Sequence, residues 1–560
     1  MLPKVTMDNE GKLFADPKTR PHLGSAIFAA SSGMLFGYDL GLVQGAIHSI
    51  KKNLELSDTM IDLVVAAAKV GAVFGPFIAG YIMSKSGRRV GLMSGAFFFF
   101  VGPIVMAAAS VKAKGLDMLV GRFIIGLGIG QCSVVVPAYL GETTPSSCRG
   151  FIVELYEVSL VFGMIVSSAV DYLLSDIPND WRYMVGIPTI PGFFLMIGPI
   201  FLPESPRWLV MKSREKEALK VLHKIRHAPG QVVDDRSTPE VENELLEIWS
   251  DVKHVEASEG EVSKILGTGS GSLSRQRGKK DDVGQVNEIE PSGGNFGATT
   301  SSIEIESRAE KQEKLGFKDQ CKAWYLELFH GPEKMAMRAA IGLAIFNQFS
   351  GSTAITNYAV EVLREIGLTD NKKGILLSSG ISFAKLLGIV VSMFLVDSIV
   401  GRRPLLIGGG LGMSVCMVLL TVGIELKSIP LVIVAESAYM LSFAVSWAGI
   451  FWVLMSEIFS MRIKAVAVSI ATSVLFAGGA LANILYHILL KKGGPLFGLF
   501  FAMVSLLSSV FVFMYVPETK GKSLKEIQKL FQEMSSLGIL GKKRLSAQEG
   551  QRLINGQPSA

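Results

Sequence analysis

Long apolar runs recur along this 560-residue chain and constrain its fold more than any other feature. Each run is close to the ~20 residues that an α-helix needs to cross a ~30 Å hydrocarbon core. Only 19% of the residues are charged and 49% are hydrophobic, a balance that is unusual for a soluble protein. The runs lack the alternation over about ten residues that marks the strands of membrane barrels. We therefore predict an all-α protein that crosses the membrane repeatedly.

Twelve spans are expected, in two groups of six. The first group lies near residues 24–47, 61–83, 90–111, 116–140, 151–174 and 184–202. The second group lies near residues 337–364, 374–397, 404–424, 430–457, 465–490 and 494–516. These bounds predict an N-terminal tail (1–23), a six-helix bundle (24–202), a linker (203–336), a second six-helix bundle (337–516) and a C-terminal tail (517–560).

The linker and the short loops carry most of the polar sequence. The segment REKEALKVLHKIR has the spacing of an amphipathic helix that lies along the cytoplasmic side. Residues from about 256 to 313 are rich in Gly, Ser, Glu and Lys, which predicts disorder. Basic clusters such as GRR (87–89), GRR (401–403) and KGKSLK (520–525) favour the cytoplasmic side. We therefore expect both termini to be cytoplasmic.

The two halves of the chain repeat each other. GRRVGLM (87–93) follows the second span, and GRRPLLI (401–407) follows the eighth. A glutamate precedes a basic residue by seven positions after the fourth span, and the same spacing returns after the tenth. Internal repeats in a twelve-span protein indicate a transporter made of two related bundles, with its substrate site between them.

Several other functions lack support in the sequence. The four cysteines form no CxxC pair, so a metal site of that kind is not indicated. No basic stripe with interleaved aromatic residues indicates nucleic-acid binding. The glycines of GRFIIGLGIG (121–130) lie inside a span with no strand before them, which favours helix packing over dinucleotide binding. We expect no cofactor, no enzymatic activity and a monomer in the lipid bilayer.

The loop motifs resemble those of the sugar porter family of the major facilitator superfamily. They include GYDLGLVQGAI (37–47), ETTPSSCRG (142–150), PESPRWL (203–209), NQFSGSTAITNYA (347–359) and VPETKGKSL (516–524), and together they cover nearly the whole chain. The resemblance implies the major facilitator fold and a plasma-membrane transporter. It also implies a small polyhydroxylated substrate, such as a hexose or inositol, moved by alternating access. A nutrient sensor that binds but does not transport is a rival interpretation. A sensor is expected to have a long, structured cytoplasmic tail, and the tail here is short.

Two charges in the first bundle bear on proton coupling. Asp39 lies well inside the first span, and a carboxylate at membrane depth is a functional candidate by default. In proton-coupled members of the family, an aspartate at this position carries the proton, and an arginine at the position of Arg122 modulates it. The resemblance therefore favours proton symport. A facilitative uniporter and a static Asp39–Arg122 pair are the alternatives.

The family's sugar contacts carry over unevenly. Amide and hydroxyl side chains suit a hydroxyl-rich ligand because they donate and accept hydrogen bonds. The resemblance implies substrate contacts by Asn347, Gln348, Thr353, Asn357 and Trp452. Thr353 and Asn357 replace the family's usual Asn and Tyr. Before Trp452, an Ala-Gly pair replaces the family's Gly-Pro, which is expected to change how that helix bends.

Glu157 and Lys385 are larger departures from the family pattern. Both fall at positions that the family directs into the cavity, where it usually has Gln and Asn. The register of Lys385 is ambiguous by one residue, which leaves Leu386 as the alternative. An unpaired lysine at this depth is costly, so we expect it to pair with Glu157, or alternatively with Glu436. The pair gates a neutral solute, or receives a charged or zwitterionic one.

The remaining motif charges form the predicted cytoplasmic gate. The resemblance implies ion pairs that tie the bundles together when the cytoplasmic side is closed, among Arg88, Glu142, Arg149, Glu204, Arg207, Arg402, Glu457 and Lys464. We expect these rim pairs to be individually weak, which suits a latch that opens in every cycle. Simple anchoring of the topology by basic residues is the alternative.

Overall fold

The computed structural model describes residues 20–145, 148–174, 177, 179–226, 239–253, 317–368, 371–397, 400–492 and 495–536. All regular structure in these ranges is helical. Ten helical stretches in the same ranges are long and apolar enough to cross a membrane. The predicted disordered insert and most of both predicted tails lie outside the described residues.

The first bundle extends from α1 to a short 3₁₀ turn. Its helices are α1 (Arg20–Ala30), α2 (Ser32–Asn53), α3 (Asp58–Ser86), α4 (Arg88–Ala107), α5 (Leu116–Thr143), α6 (Arg149–Leu174), α7 (Asp180–Gly186) and α8 (Thr189–Ile197), followed by the turn Gly198–Phe201. Helix α3 packs on α5, α2 on α6 and α4 on α5.

The second bundle repeats this arrangement after four helices of the linker. The linker helices are α9 (Pro206–Met211), α10 (Glu215–Arg226), α11 (Pro239–Lys253) and α12 (Phe317–Phe329). The bundle comprises α13 (Lys334–Phe349), α14 (Ser352–Glu365), α15 (Asn371–Val396), α16 (Arg402–Glu425), α17 (Ile429–Phe443), α18 (Gly449–Glu457), α19 (Lys464–Lys492) and α20 (Pro495–Tyr515). Helix α21 (Leu524–Ser536) follows it.

Four of the predicted spans are not continuous α-helices: those expected at 24–47, 184–202, 337–364 and 430–457. The span expected at 24–47 divides between α1 and α2, and the one expected at 337–364 divides at Gly351 between α13 and α14. Gly351 has a φ of 98°, a conformation that only glycine adopts readily. The break places the end of α13 and the start of α14 beside the space between the bundles.

The two bundles meet along two seams that are related by the internal repeat. Helix α3 packs against α19, and α6 packs against α15 and α18. On the first seam, the Ser473 hydroxyl donates to the carbonyl of Val73 at 2.9 Å. On the second, the Ser392 hydroxyl donates to Glu154 Oε1 at 2.8 Å. Both seams run toward the end of the molecule that carries the two GRR motifs, which we call the GRR end.

The linker helices form a small core of their own at the GRR end. Apolar side chains of α9, α10 and α11 bury one another there, among them Trp208, Leu222 and Leu245. The buried Arg226 pairs with Glu244 at 2.7 Å and donates to the carbonyl of Thr143 at the end of α5. The amphipathic helix expected from REKEALKVLHKIR is therefore present as α10, and its apolar face contacts α9 and α11.

Candidate functional site

A cavity of about 120 Å³ lies between the bundles, which is several times the space that one water needs. We call it the central cavity. Its lining includes all nine side chains that were expected to take part in coupling or substrate binding: Asp39, Arg122, Glu157, Asn347, Gln348, Thr353, Asn357, Lys385 and Trp452. Both bundles contribute, so a solute held here contacts both halves of the molecule.

Asp39 and Arg122 form a buried ion pair at one side of the cavity. The Arg122 guanidinium donates to the Asp39 carboxylate, and both side chains are almost fully enclosed. Arg122 Nε also donates to the carbonyl of Val64 on α3, at 3.4 Å. The pair thus joins α2 to α5, with α3 as a third support.

Glu157 and Lys385 pair across the two bundles. Lys385 Nζ lies 3.8 Å from Glu157 Oε2, and the other carboxylate oxygen accepts a hydrogen bond from Trp452 Nε1 at 2.8 Å. The Lys385 ammonium also lies 5.9 Å from the ring centroid of Phe443. Lys385, and not Leu386, lines the cavity, which settles the ambiguity in register.

Glu436 is not the partner of Lys385. Its side chain is fully buried, and neither carboxylate oxygen has a hydrogen-bond partner among the described residues. It lies outside the cavity lining, and its charge acts on Tyr486 of α19 instead. The alternative pairing with Lys385 is therefore wrong, because Glu436 faces the interior of the second bundle.

A neutral polar wall follows the break between α13 and α14. Asn347 donates to the carbonyl of Trp447 at 3.0 Å, and Gln348 donates to Asn347 at 3.1 Å. The Thr353 hydroxyl donates to Gln348 Oε1 at 2.8 Å. Because Gly351 turns the chain between them, these groups face the same space. They offer hydrogen bonds to a solute without adding charge.

The helix before Trp452 contains an irregular turn instead of a proline kink. Residues Ala444–Ala448 form a π-helical turn between α17 and α18, at the position where the family's Gly-Pro is missing. Such turns are common at functional sites. Trp452 meets Phe451 and Tyr156 edge to face, with centroids 4.9 and 5.9 Å away. The aromatic rings hold the indole beside Glu157.

Lys69 is a cavity residue that the sequence-based prediction missed. It lies on α3, between the apolar lining residues Val65, Ala68 and Ala72. Its signal was present in the sequence as a lone lysine within the second apolar run. The family motifs do not include this position, so the resemblance assigned it no role.

Charged residues in the first bundle hold the GRR end together. Arg88 pairs with Glu142 at 2.8 Å, and both side chains are 1% exposed or less. Glu142 also accepts from the Ser205 hydroxyl at 2.6 Å. Glu204 accepts from the backbone N–H groups of Arg88 and Arg89, at 2.9 and 3.2 Å, and so caps α4.

The second bundle repeats this construction residue for residue. Arg402 pairs with Glu457 at 3.0 Å, and Glu457 accepts from the Thr519 hydroxyl at 2.8 Å. Glu518 accepts from the N–H groups of Arg402 and Arg403, at 3.1 and 3.0 Å. Glu518 and Thr519 belong to the VPETKGKSL motif but were not among the predicted gate residues.

Fewer of these contacts cross between the bundles. Lys464 Nζ lies 3.9 Å from Glu142 Oε1, and the Phe151 N–H donates to Asp397 Oδ2 at 2.9 Å. Arg149 is buried nearby, within reach of the charges of Glu457 and Arg207. The expectation that these pairs tie the bundles together is corrected for Arg88 and Arg402, whose pairs are buried and lie within single bundles.

Two carboxyls of the GRR end lie outside the spans, and burial changes their titration. Burial raises the pKa of Glu204, and hydrogen bonds from the N–H groups of Ser205 and Arg88 oppose the rise. Burial likewise raises the pKa of Asp397, against the opposing positive charge of Arg402 at 2.9 Å.

Comparisons with known sequences agree with this architecture. The family model described as "Sugar (and other) transporter" matches residues 25–274 and 293–531. The glucose transporter GlcP of Staphylococcus epidermidis is 29% identical over 508 residues, which cover 90% of this chain and 95% of that protein. Putative polyol transporter 2 of Arabidopsis thaliana is 28% identical over 554 residues, which cover 96% of each chain.

Solved structures share the fold. The proton:xylose symporter XylE, bound to 6-bromo-6-deoxy-D-glucose, superimposes with a TM-score of 0.71 at 23% identity, covering 92% of this chain and 100% of that one. The inward-open form of XylE from E. coli gives a TM-score of 0.58 at 24% identity, covering 90% and 99%.

Two related helical bundles around a central cavity define a secondary transporter of the major facilitator fold. The family model covers most of the chain, and the relatives match over nearly their full length. The chain belongs to the sugar porter family. Its resemblance to that family is thereby confirmed, and the protein is a sugar or polyol transporter and not an enzyme.

Proposed function

We propose that the protein is a proton-coupled symporter of a monosaccharide or polyol, with the GRR end facing the cytoplasm across the plasma membrane. The observation that carries the proposal is the Asp39–Arg122 pair, which is both buried and part of the cavity lining. A carboxylate that can meet both the solute and water from either side is placed to carry a proton through the cycle.

The coupling follows from the electrostatics of the pair. While Asp39 is ionised, Arg122 neutralises it, and the Asp39–Arg122 ion pair in the cavity lining stays intact. When a proton neutralises Asp39, Arg122 loses its counter-charge and its hold on α2 weakens. Because an isolated charge at membrane depth is costly, proton and solute binding are expected to favour the same rearrangement of the first bundle.

Solute recognition is assigned to the rest of the cavity. Asn347, Gln348, Thr353 and Asn357 offer neutral donors and acceptors, and Trp452 offers an aromatic face. The Glu157–Lys385 pair links the bundles beside the solute and acts as an inner gate. In the closed state, the predicted gate residues at the GRR end stabilise each bundle and its contact with the other bundle. These residues are Arg88, Glu142, Arg149, Glu204, Arg207, Arg402, Glu457 and Lys464.

Uptake into proteoliposomes tests the coupling. A labelled panel of hexoses, pentoses and inositol is offered with and without an inward proton gradient. We expect the unmodified protein to accumulate the solute above its equilibrium level only with the gradient. We expect Asp39→Asn to equilibrate the solute without accumulating it. Accumulation that is unchanged in Asp39→Asn would sink the symport assignment. Equilibration by the unmodified protein regardless of the gradient would favour a uniporter.

A further inference from the structure

Lys69 gives the central cavity a charge that no described side chain balances. The residue lies in the middle third of α3, eleven positions after Asp58 and seventeen before Ser86. No ion pair or hydrogen bond is recorded for its ammonium among the described residues. Its nearest cavity-lining neighbours along α3 are apolar. Water or a ligand in the cavity is then the available partner of this ammonium.

The other charges of the cavity are matched in pairs. Arg122 neutralises Asp39, and Lys385 neutralises Glu157. These four residues and Lys69 are the charged side chains of the described lining, so three cations face two carboxylates. The surplus is one positive charge. An uncompensated cation at this depth is costly, and a bound anion relieves that cost.

We propose that the transported solute is a sugar acid that carries a single carboxylate, with Lys69 as its counter-ion. The proposal rests on the function proposed above and specifies the substrate class of the same cavity. The hydroxyl groups of such a solute meet the neutral wall of α13 and α14, as those of a sugar do. Its carboxylate pairs with the Lys69 ammonium, at a position that water occupies when a neutral sugar is bound.

While Asp39 is ionised, before the coupled proton binds, the size of the surplus selects among anions. A phosphate monoester carries about −1.5 to −2 charges at pH 7 and would leave the cavity with excess negative charge. A carboxylate carries one charge and brings the cavity to neutrality. Zwitterions leave the surplus in place, because they add no net charge. A singly charged uronate or aldonate is therefore the class that fits.

The proposal also changes the electrical character of transport. A proton that moves with a neutral sugar carries one positive charge across the membrane. A proton that moves with a monocarboxylate carries none. Uptake of the acid is therefore expected to respond to the pH gradient and not to the membrane potential, whereas uptake of a neutral sugar responds to both.

The experiment compares each acid with its neutral parent: D-glucuronate and D-gluconate against D-glucose, and D-galacturonate against D-galactose. Binding to the purified full-length protein is measured by a shift in thermal unfolding, and transport by uptake into proteoliposomes. The variants are Lys69→Met, which keeps the length of the side chain without its charge, and Lys69→Arg, which keeps the charge. Potentials are set with potassium and valinomycin.

We expect at least one acid to bind at least tenfold more tightly than its parent, which corresponds to about 1.4 kcal/mol. Lys69→Met should abolish this preference for the acid over its neutral parent, and Lys69→Arg should retain it. Equal or weaker binding of every acid by the unmodified protein overturns the proposal without any variant. So does a preference that survives Lys69→Met. Acid binding that persists while the proton gradient drives no uptake would instead contradict the proposed symport function.

Discussion

The Glu157–Lys385 pair allows a double-mutant test whose size follows from the structure. At the observed 3.8 Å, two unit charges attract by about 4 kcal/mol at an effective dielectric constant of 20. Breaking a buried pair by removing one partner typically costs about 3–5 kcal/mol, since the other charge stays behind. Removing both charges avoids that cost. The double variant should therefore be more stable than the two single effects would predict.

The local contacts set the expected value for each variant. Lys385→Ala leaves the buried Glu157 carboxyl without its cation but still bonded to Trp452, so we expect a loss of about 3 kcal/mol in the free energy of unfolding. Glu157→Gln keeps a carbonyl for Trp452 and leaves Lys385 beside Phe443, for a loss of about 2 kcal/mol. The double variant should also lose about 2 kcal/mol, which implies a coupling of about 3 kcal/mol.

Denaturant unfolding of the purified protein in detergent, followed by tryptophan fluorescence, measures these values. Lys85→Ala combined with Glu157→Gln is the control, because Lys85 is exposed near the end of α3 and contacts Tyr81. That combination should be additive. If the Lys385→Ala and Glu157→Gln effects are additive as well, the two residues are not energetic partners and the inner gate assignment is refuted.

The GRR end supplies three further predictions. Gly401→Ala should destabilise the protein by about 1–2 kcal/mol in the same unfolding assay, because φ is 84° there and the new Cβ would lie 2.8 Å from Glu518. Gly408→Ala, with no atom within 4 Å of its Cβ, is the matched control and should be neutral or slightly stabilising. Arg402→Gln should leave Asp397 and Glu457 without their cation and open the GRR end. The opening is measured as faster hydrogen exchange in residues 149–157. Exchange at the rate of the unmodified protein would contradict the role of Arg402 in holding this end closed. Because the pKa of Asp397 is raised, the stability that its protonation gives to the closed state is present at acid pH and lost as pH rises through that pKa. As pH rises, hydrogen exchange at the GRR end should therefore accelerate by more than the intrinsic chemical exchange rate does. Asp397→Asn should reduce that excess. The charges that face Asp397, on Arg149, Arg402, Glu457 and Lys520, are the same in both proteins.

The sequence predicted the parts of the site that depend on spacing along one helix. A fixed number of residues from each loop motif sets the face of the helix, so Asp39, Arg122 and Trp452 reach the cavity where the motifs place them. The helical period also explains why one added residue in DSIVGRR left Lys385 ambiguous. The structure places Lys385 in the cavity lining and leaves Leu386 outside it.

Features that depend on packing between distant helices were not predictable. Burial of the Arg88 and Arg402 pairs depends on the linker and tail segments that carry Ser205 and Thr519, which spacing alone does not place. The division of the seventh span at Gly351 depends on a left-handed conformation that an apolar run does not reveal. Lys69 was missed for another reason. It lies outside the family motifs, so the resemblance assigned it no role.

Proton movement during solute uptake tests the central claim most directly. Proteoliposomes that contain the protein and an internal pH-sensitive dye are prepared without solute, and each neutral sugar or sugar acid is then added outside. Internal acidification that follows sugar addition, and that Asp39→Asn abolishes while solute binding persists, is the predicted result. Uptake of the same sugar without any internal acidification would contradict proton-coupled transport through Asp39.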